Sequence, residues 1–267
     1  MIEEYKSIMK NDVCEIVPRP TRKSFVTSRW IYKIKHGTDG SVEKYKYRFV
    51  ARARFTQKEG IDYDETFALF ARYTTIRTII SLAAVFEWKL HQMDVKTAFL
   101  NGKIEEEVYL EQPEGFVTHG KKTHVCKLKK ALYGLKQAPR VWYARMDGFL
   151  HSLGFSKSTA DSNFYFKFVH NHVLILVLYV DDLSLTDDEQ LIDQCKRELT
   201  SEFEIEDLGL MHYFLGLEDS QKPGEIFLTQ GKYAVDILQR FGMQDCKSMS
   251  VPMTTNLTKL RDSASSS

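Results

Sequence analysis

Two periods of apolar and polar positions alternate along this chain. From Trp30 to His36 (WIYKIKH) apolar and basic residues take turns, which predicts a strand with one wet face. The glycine-bearing segment 37–41 predicts a turn. From Val42 to Phe55 the cations Lys44, Lys46, Arg48, Arg52 and Arg54 recur at even spacing, so a returning strand carries them on one face. A helical period governs Thr75 to Phe86, Val141 to Leu153, Asp188 to Glu202 and Lys232 to Phe241. Short strands are predicted at Glu87 to Gln92, Val108 to Phe116, Val125 to Lys130 and Phe164 to Val169, with a small hairpin around Pro223-Gly224. Met1 to Pro20 reads as a short helix followed by an irregular lead-in, and the polar tail 254–267 has too few apolar residues to fold alone.

One run departs from both periods. Val173 to Val180 is uncharged and almost wholly aliphatic, Asp181 and Asp182 follow, and Leu183-Ser184-Leu185 resumes the apolar character. Together with Phe164 to Val169 this reads as an antiparallel meander whose last turn lifts both carboxylates to one end of a sheet. Adjacent carboxylates in such a run are costly to bury without positive charge, and a hard divalent cation supplies it. An ordinary surface turn is the competing reading, because turns favour Asp. A further aspartate, Asp94, is placed directly past a predicted strand, where a helix cap is the plain alternative.

Composition narrows the class. The 267 residues are 43% hydrophobic and 27% charged, an ordinary globular balance. No apolar stretch approaches the ~20 residues a bilayer span needs, and Met1 to Lys10 lacks the apolar core of a signal peptide. An intracellular protein without membrane contact is expected, cytoplasmic or nuclear. Four cysteines, Cys14, Cys126, Cys195 and Cys246, share no metal-ligand spacing. The net charge of +1 hides two basic blocks, 19–58 with twelve Lys/Arg against two acids and 121–145 with eight against none. Residues 187–219 reverse the balance, with eleven acids against two bases. That distribution is the footprint of a polyanion laid along part of a surface, the alternative being solvated faces of unrelated elements.

Three blocks now stand together: Tyr179-Val180-Asp181-Asp182, QMDVKTAFLNG at 92–102 and LYGLKQAPRVWY at 132–143. In their chain order and spacing they resemble the reverse transcriptase of copia-type retrotransposons, over about Trp30 to Met253. The resemblance implies an α+β polymerase right hand with an antiparallel palm sheet. A lead-in at 1–24 would precede a reverse transcriptase domain at 25–253. Its fingers would occupy about 25–85 and part of 103–140, its palm about 86–102 and 141–220, and a partial thumb about 221–253. Asp94, Asp181 and Asp182 would be the catalytic residues, holding two Mg²⁺ ions, or Mn²⁺ in their place. The partners implied are an RNA template, a DNA primer, deoxynucleoside triphosphates and other parts of a polyprotein.

The same resemblance assigns Phe99 to exclusion of the ribose 2′-hydroxyl and the backbone of Lys96, Thr97 and Ala98 to the triphosphate. Lys35, Lys46 and Arg48 become cations that close on the incoming phosphates. Tyr133, Gly134, Lys136, Gln137 and Pro139 would line the template and the nascent pair, and Phe214-Leu215-Gly216 would grip the primer. Three positions depart from the family: Arg54 and Asp187 stand where glycine is usual, and Leu69 where proline is. A left-handed backbone at Asp187 would be strained by ~1 kcal/mol or more. Two rival readings follow from the departures, a nucleic-acid-binding remnant that no longer polymerises and a marginally stable fragment without function.

Overall fold

A computed structural model describes residues 1–250 apart from 22, 37–41, 53–56, 61, 62, 64, 65, 67–70, 188 and 223; at 35, 36, 43 and 44 it describes the backbone alone. Arg54, Leu69, Pro223, the 37–41 turn and the 254–267 tail therefore lie outside the described residues. In chain order the elements are α1 (Ile2–Lys10), β1 (Cys14–Pro18), β2 (Ser28–His36), β3 (Val42–Ala51), α2 (Tyr73–Val85) and β4 (Lys89–Val95). A 3₁₀ turn (Ala98–Asn101), β5 (Tyr109–Leu110), β6 (His124–Leu128), α3 (Ala138–Ser152), β7 (Ser156–Lys157), β8 (Phe164–Val169), β9 (His172–Tyr179) and β10 (Asp182–Asp187) follow. The last are α4 (Glu189–Glu202), β11 (Ile205–Leu210), β12 (Tyr213–Phe214), β13 (Leu217–Lys222), β14 (Glu225–Thr229) and α5 (Gly231–Arg240). Among the described residues no helix is long and apolar enough to cross a membrane.

Helices and antiparallel sheets make up the architecture. A six-stranded sheet runs β11-β4-β10-β9-β8-β7, so the expected meander β8-β9-β10 forms and β4 inserts beside it. Met93, Val95, Leu174, Leu176, Leu178, Leu183 and Leu185 project from one face and pack with Trp142, Met146 and Leu150 of α3 and Ile192, Cys195 and Leu199 of α4. Leu90, Gln92 and Asp94, of opposite parity, take the other face, as a period of two requires. There α2 packs on β4, its first turn held by Asp161, which accepts from the Arg72 N–H at 2.9 Å and the Thr75 hydroxyl at 2.6 Å. A second cluster gathers Ile8, Val13, Phe49, Ala51, Leu110, Leu128 and Leu132 between α1, the β2–β3 hairpin and the three-stranded sheet β1-β6-β5.

By contact density the chain divides into a unit of residues 1–211 with 221–226, and a second of 212–220 with the rest from 227. In the second unit Leu215 and Gly216 form the two-residue loop joining β12 to β13, both at positive φ (52° and 83°). That is the primed-turn geometry matching strand twist. Phe214 is buried beside it.

Several expectations are corrected. The lead-in after α1 is not irregular: Cys14–Pro18 is an edge strand on β6, tolerated because its proline is the last paired residue. Asp94 does not follow its strand but lies inside β4, and the residue preceding the 3₁₀ turn is Thr97. The acidic segment 187–219 hides a further strand, β11, beside β4. Asp187 carries no left-handed strain, since it ends β10 opposite Lys89 and is absent from the positive-φ residues. Its burden is burial instead. Its side chain is fully covered, neither carboxylate oxygen has a hydrogen-bond partner among the described residues, and His172 Nδ1 lies 3.5 Å away.

Candidate active site

The site begins with strand register. Asp182 pairs directly with Asp94 across β10 and β4, and Glu206 of β11 pairs with Asp94 from the other side. Directly opposed residues share a face of a sheet, so carboxylates from segments 88 and 112 positions apart in sequence form one row. Asp182 also pairs with Tyr179, so β9 and β10 join through the two-residue loop Val180-Asp181. Val95 N–H donates to the Asp181 carbonyl at 2.7 Å, bringing Asp181 against the end of β4. Asp94, Asp181 and Asp182 are each half-buried. The register thus brings together the three aspartates that the sequence singles out.

Electrostatics mark the row. Burial pushes the Asp182 carboxyl up to about 6; an accepted hydrogen bond from Gln92 Nε2 (3.0 Å) opposes this, while Asp181 and Asp94 add to it. Lys46 of β3 acts in the lowering direction, which puts the hairpin's basic face within electrostatic reach. Tyr133 is pushed up to about 12, first by burial, with Arg48 opposing and Asp181 and Asp94 contributing. Hard carboxylate oxygens repelling one another are the donor chemistry that suits a divalent cation such as Mg²⁺. Among the described residues no three His, Cys, Asp or Glu side chains converge into a ready-made cage. This fits Mg²⁺ all the same, because that ion is bound through one or two carboxylates and completed by water and substrate phosphates.

On the Asp94–Glu206 side of the row lies a cavity of about 260 Å³, lined by Glu4 of α1, Lys46 and Arg48 of β3, Asp94, Thr97 and Glu206. Phe99 is half-buried at the junction of the two cores, its ring 4.7 Å from that of Tyr133. Arg48 stacks over Tyr133 at 4.9 Å, and its guanidinium donates to Glu4 at 3.1 Å, so it is already neutralised. Glu4 also accepts from the Phe49 N–H at 3.3 Å. Nothing in the sequence pointed to Glu4, a charged residue of an amphipathic helix whose partner lies 44 positions on. Thr97, buried, takes a left-handed backbone (φ 58°), and Ala98 is buried after it. The Lys96 N–H is already donated to the Glu204 carbonyl at 2.8 Å, and Lys96 Nζ lies 3.6 Å from Glu206. Lys35 pairs with Lys44 across the hairpin; its side chain lies outside the described residues.

The 132–143 block packs against β3. Gly134 has φ +92°, and a Cβ there would stand 2.1 Å from the Ala51 carbonyl oxygen, so only glycine fits. Gln137 is fully buried and accepts from Gln57 Nε2 at 3.1 Å, supporting the loop from within rather than facing a template. Lys136 N–H donates to Gln57 Oε1, its ammonium lies 6.0 Å above the Tyr63 ring, and Pro139 sits in the first turn of α3. Half of the second basic block, four of its eight cations, is paired with acids of the same chain among the described residues. Lys127 pairs with Glu107, Lys129 with Asp12, Arg140 with Glu106 and Arg145 with Glu202. The β2–β3 hairpin keeps the expected character, with Lys33 directly opposite Lys46, an arrangement of like charges that favours an anion.

Comparison with known proteins shows the family. Residues 11–255 match the family described as reverse transcriptase (RNA-dependent DNA polymerase). The chain is 43% identical over 261 residues to the retrovirus-related Pol polyprotein from transposon TNT 1-94 of Nicotiana tabacum, covering 96% of this chain and 20% of that one. It is 36% identical over 255 residues to the corresponding polyprotein from transposon RE1 of Arabidopsis thaliana, covering 95% of this chain and 17% of that one. A 27% identity over 240 residues extends to the Ty1-BL Gag-Pol polyprotein of Saccharomyces cerevisiae, covering 86% of this chain and 12% of that one. The chain thus spans a fifth or less of the length of these curated relatives. It belongs to the reverse transcriptase (RNA-dependent DNA polymerase) family, in the copia-type retrotransposon branch.

Proposed function

We propose that this chain is the RNA-directed DNA polymerase domain of a retrotransposon polyprotein, extending a DNA primer on an RNA template with deoxynucleoside triphosphates. The observation that supports it is the register that sets Asp182 opposite Asp94, with Asp181 in the adjoining loop. In this reading the six-stranded sheet is the palm of a right hand, the β2–β3 hairpin belongs to the fingers, and the second unit begins a thumb carrying the Phe214–Gly216 loop. Asp94, Asp181 and Asp182 would hold two Mg²⁺ ions, which when bound lower the pKa of the primer 3′-hydroxyl and offset charge on the triphosphate and departing pyrophosphate. Gln92 orients the Asp182 carboxylate. Lys46 draws the triphosphate toward the row, Phe99 closes the space a 2′-hydroxyl would need, and the Arg48–Tyr133 stack backs Phe99.

The test is primer extension on poly-rA with oligo-dT, labelled dTTP and Mg²⁺. Extension by the wild type, lost in Asp181→Asn with RNA–DNA binding nearly intact, is the expected result. The rival reading, a nucleic-acid-binding remnant, requires the wild type to bind the duplex and extend nothing. Loss of binding in Asp181→Asn would contradict the assignment of that aspartate to the ions.

A further inference from the structure

The loop that carries Asp181 is held in a conformation its own residues disfavour. Val180 has φ +57°, while Asp181 is absent from the positive-φ residues. A positive φ at the first loop residue is the II′ pattern, which glycine favours. A β-branched residue there is an outlier that surrounding structure must over-determine. Three contacts hold the tip. The Trp142 indole Nε1–H donates to the Val180 carbonyl at 2.6 Å, Val95 N–H donates to the Asp181 carbonyl at 2.7 Å, and Gln92 Nε2 donates to Asp182 Oδ1 at 3.0 Å. Two of these come from β4, beside the loop. The third comes from α3, and it is the one that reaches the strained residue.

Trp142 is 1% exposed and fixed in turn, its ring edge-on to Phe203 at 5.4 Å. It lies one helical turn beyond Pro139, so the segment that packs Tyr133 and Gly134 against β3 also supplies the clamp on the loop. We propose that Trp142 is a positioning residue of the polymerase site: its indole N–H holds Val180 in the left-handed conformation and thereby fixes the direction of the Asp181 carboxylate. This rests on the function proposed above. The indole touches neither substrate nor ion, and its effect runs wholly through the Val180 backbone.

Trp142→Phe keeps an aromatic ring against Phe203 and removes the donor with part of the ring's volume, and a Val180→Gly background separates the two. Two measurements on the full chain read the result, hydrogen exchange of the tip amides at 180–182 without divalent ions, and dTTP incorporation on poly-rA/oligo-dT. In Trp142→Phe, tip exchange is expected to rise about tenfold with β8 unchanged, and kcat to fall about tenfold with KM for dTTP within about twofold, the size of one hydrogen bond. Val180→Gly lets the loop adopt its conformation unaided, so in that background the Trp142→Phe effect is expected to shrink to about twofold. Wild-type exchange at the tip in Trp142→Phe would overturn the inference, as would an undiminished effect in the Val180→Gly background. If the wild type extends no primer, the function proposed above fails while the exchange data still decide whether Trp142 holds the loop.

Discussion

At the scale of single residues, the site is a set of charges held close by backbone pairing. Asp182 titrates near 6 in the fold because burial and its acidic neighbours disfavour ionisation, against about 3.9 in an unfolded chain. Between those values the folded state binds more protons than the unfolded one. Without divalent ions, stability from this group is therefore greatest below about pH 4, falls as pH rises to about 6 and is flat above. Asp182→Asn is expected to remove that segment of the pH–stability curve and to raise the melting temperature at neutral pH in the presence of a chelator. A curve unchanged by the substitution would place the carboxylate in a more solvated setting. Phe99→Ala should raise ribonucleotide incorporation relative to deoxynucleotide by about tenfold or more, measured by competition between UTP and dTTP. Unchanged discrimination would return Phe99 to core packing alone. The Asp181-Asp182 pair stood out because two carboxylates interrupt an apolar run, whereas Asp94 and Phe99 were singled out through the family resemblance. Glu4 and Gln57 were not, because a buried charge or amide is recognised only once its distant partner is known.

The elements were legible wherever the period was clean. The β8–β9–β10 meander, α3 and the basic hairpin all follow from it. β4 was cut short at Gln92, although Met93, Asp94 and Val95 continue the alternation. The aspartate read as a helix cap because Asp is favoured where a strand gives way to a turn or helix. β11 was missed for another reason: a register shift between Asp207 and Gly209 breaks its alternation. Lys196, which pairs with Asp207 at 2.9 Å and contacts His91 Nδ1 at 3.0 Å, ties that strand to α4 and β4 by contacts no local pattern reveals. The 132–143 block owes its shape to Gly134. Gly134→Ala meets both a positive φ and the Ala51 carbonyl, so a loss of about 3 kcal/mol or more is expected in a denaturant titration. Gly120→Ala shares the positive φ with nothing within 4 Å, so only about 1 kcal/mol is expected there. Equal losses at the two positions would remove the close approach from the explanation.

The whole molecule shows how far net charge misleads. Its two basic blocks look alike in sequence, yet four of the eight cations of the second are paired with acids of neighbouring elements, Lys129 among them, while the hairpin sets Lys33 opposite Lys46. RNA–DNA affinity should therefore depend on salt through the hairpin. Lys33→Ala is expected to reduce the slope of log K against log salt by about 1, and Lys129→Ala to leave it unchanged. Equal slopes for both variants would mean that the duplex lies along the other face. A last consequence follows from the order of strands in the central sheet. β4 sits between β10 and β11, both of which are translated roughly ninety residues or more after it. Until β10 has been translated, Asp94 has no counterpart to face. Under the proposed function, a chain broken off before β10 would lack the opposed carboxylates and would be silent.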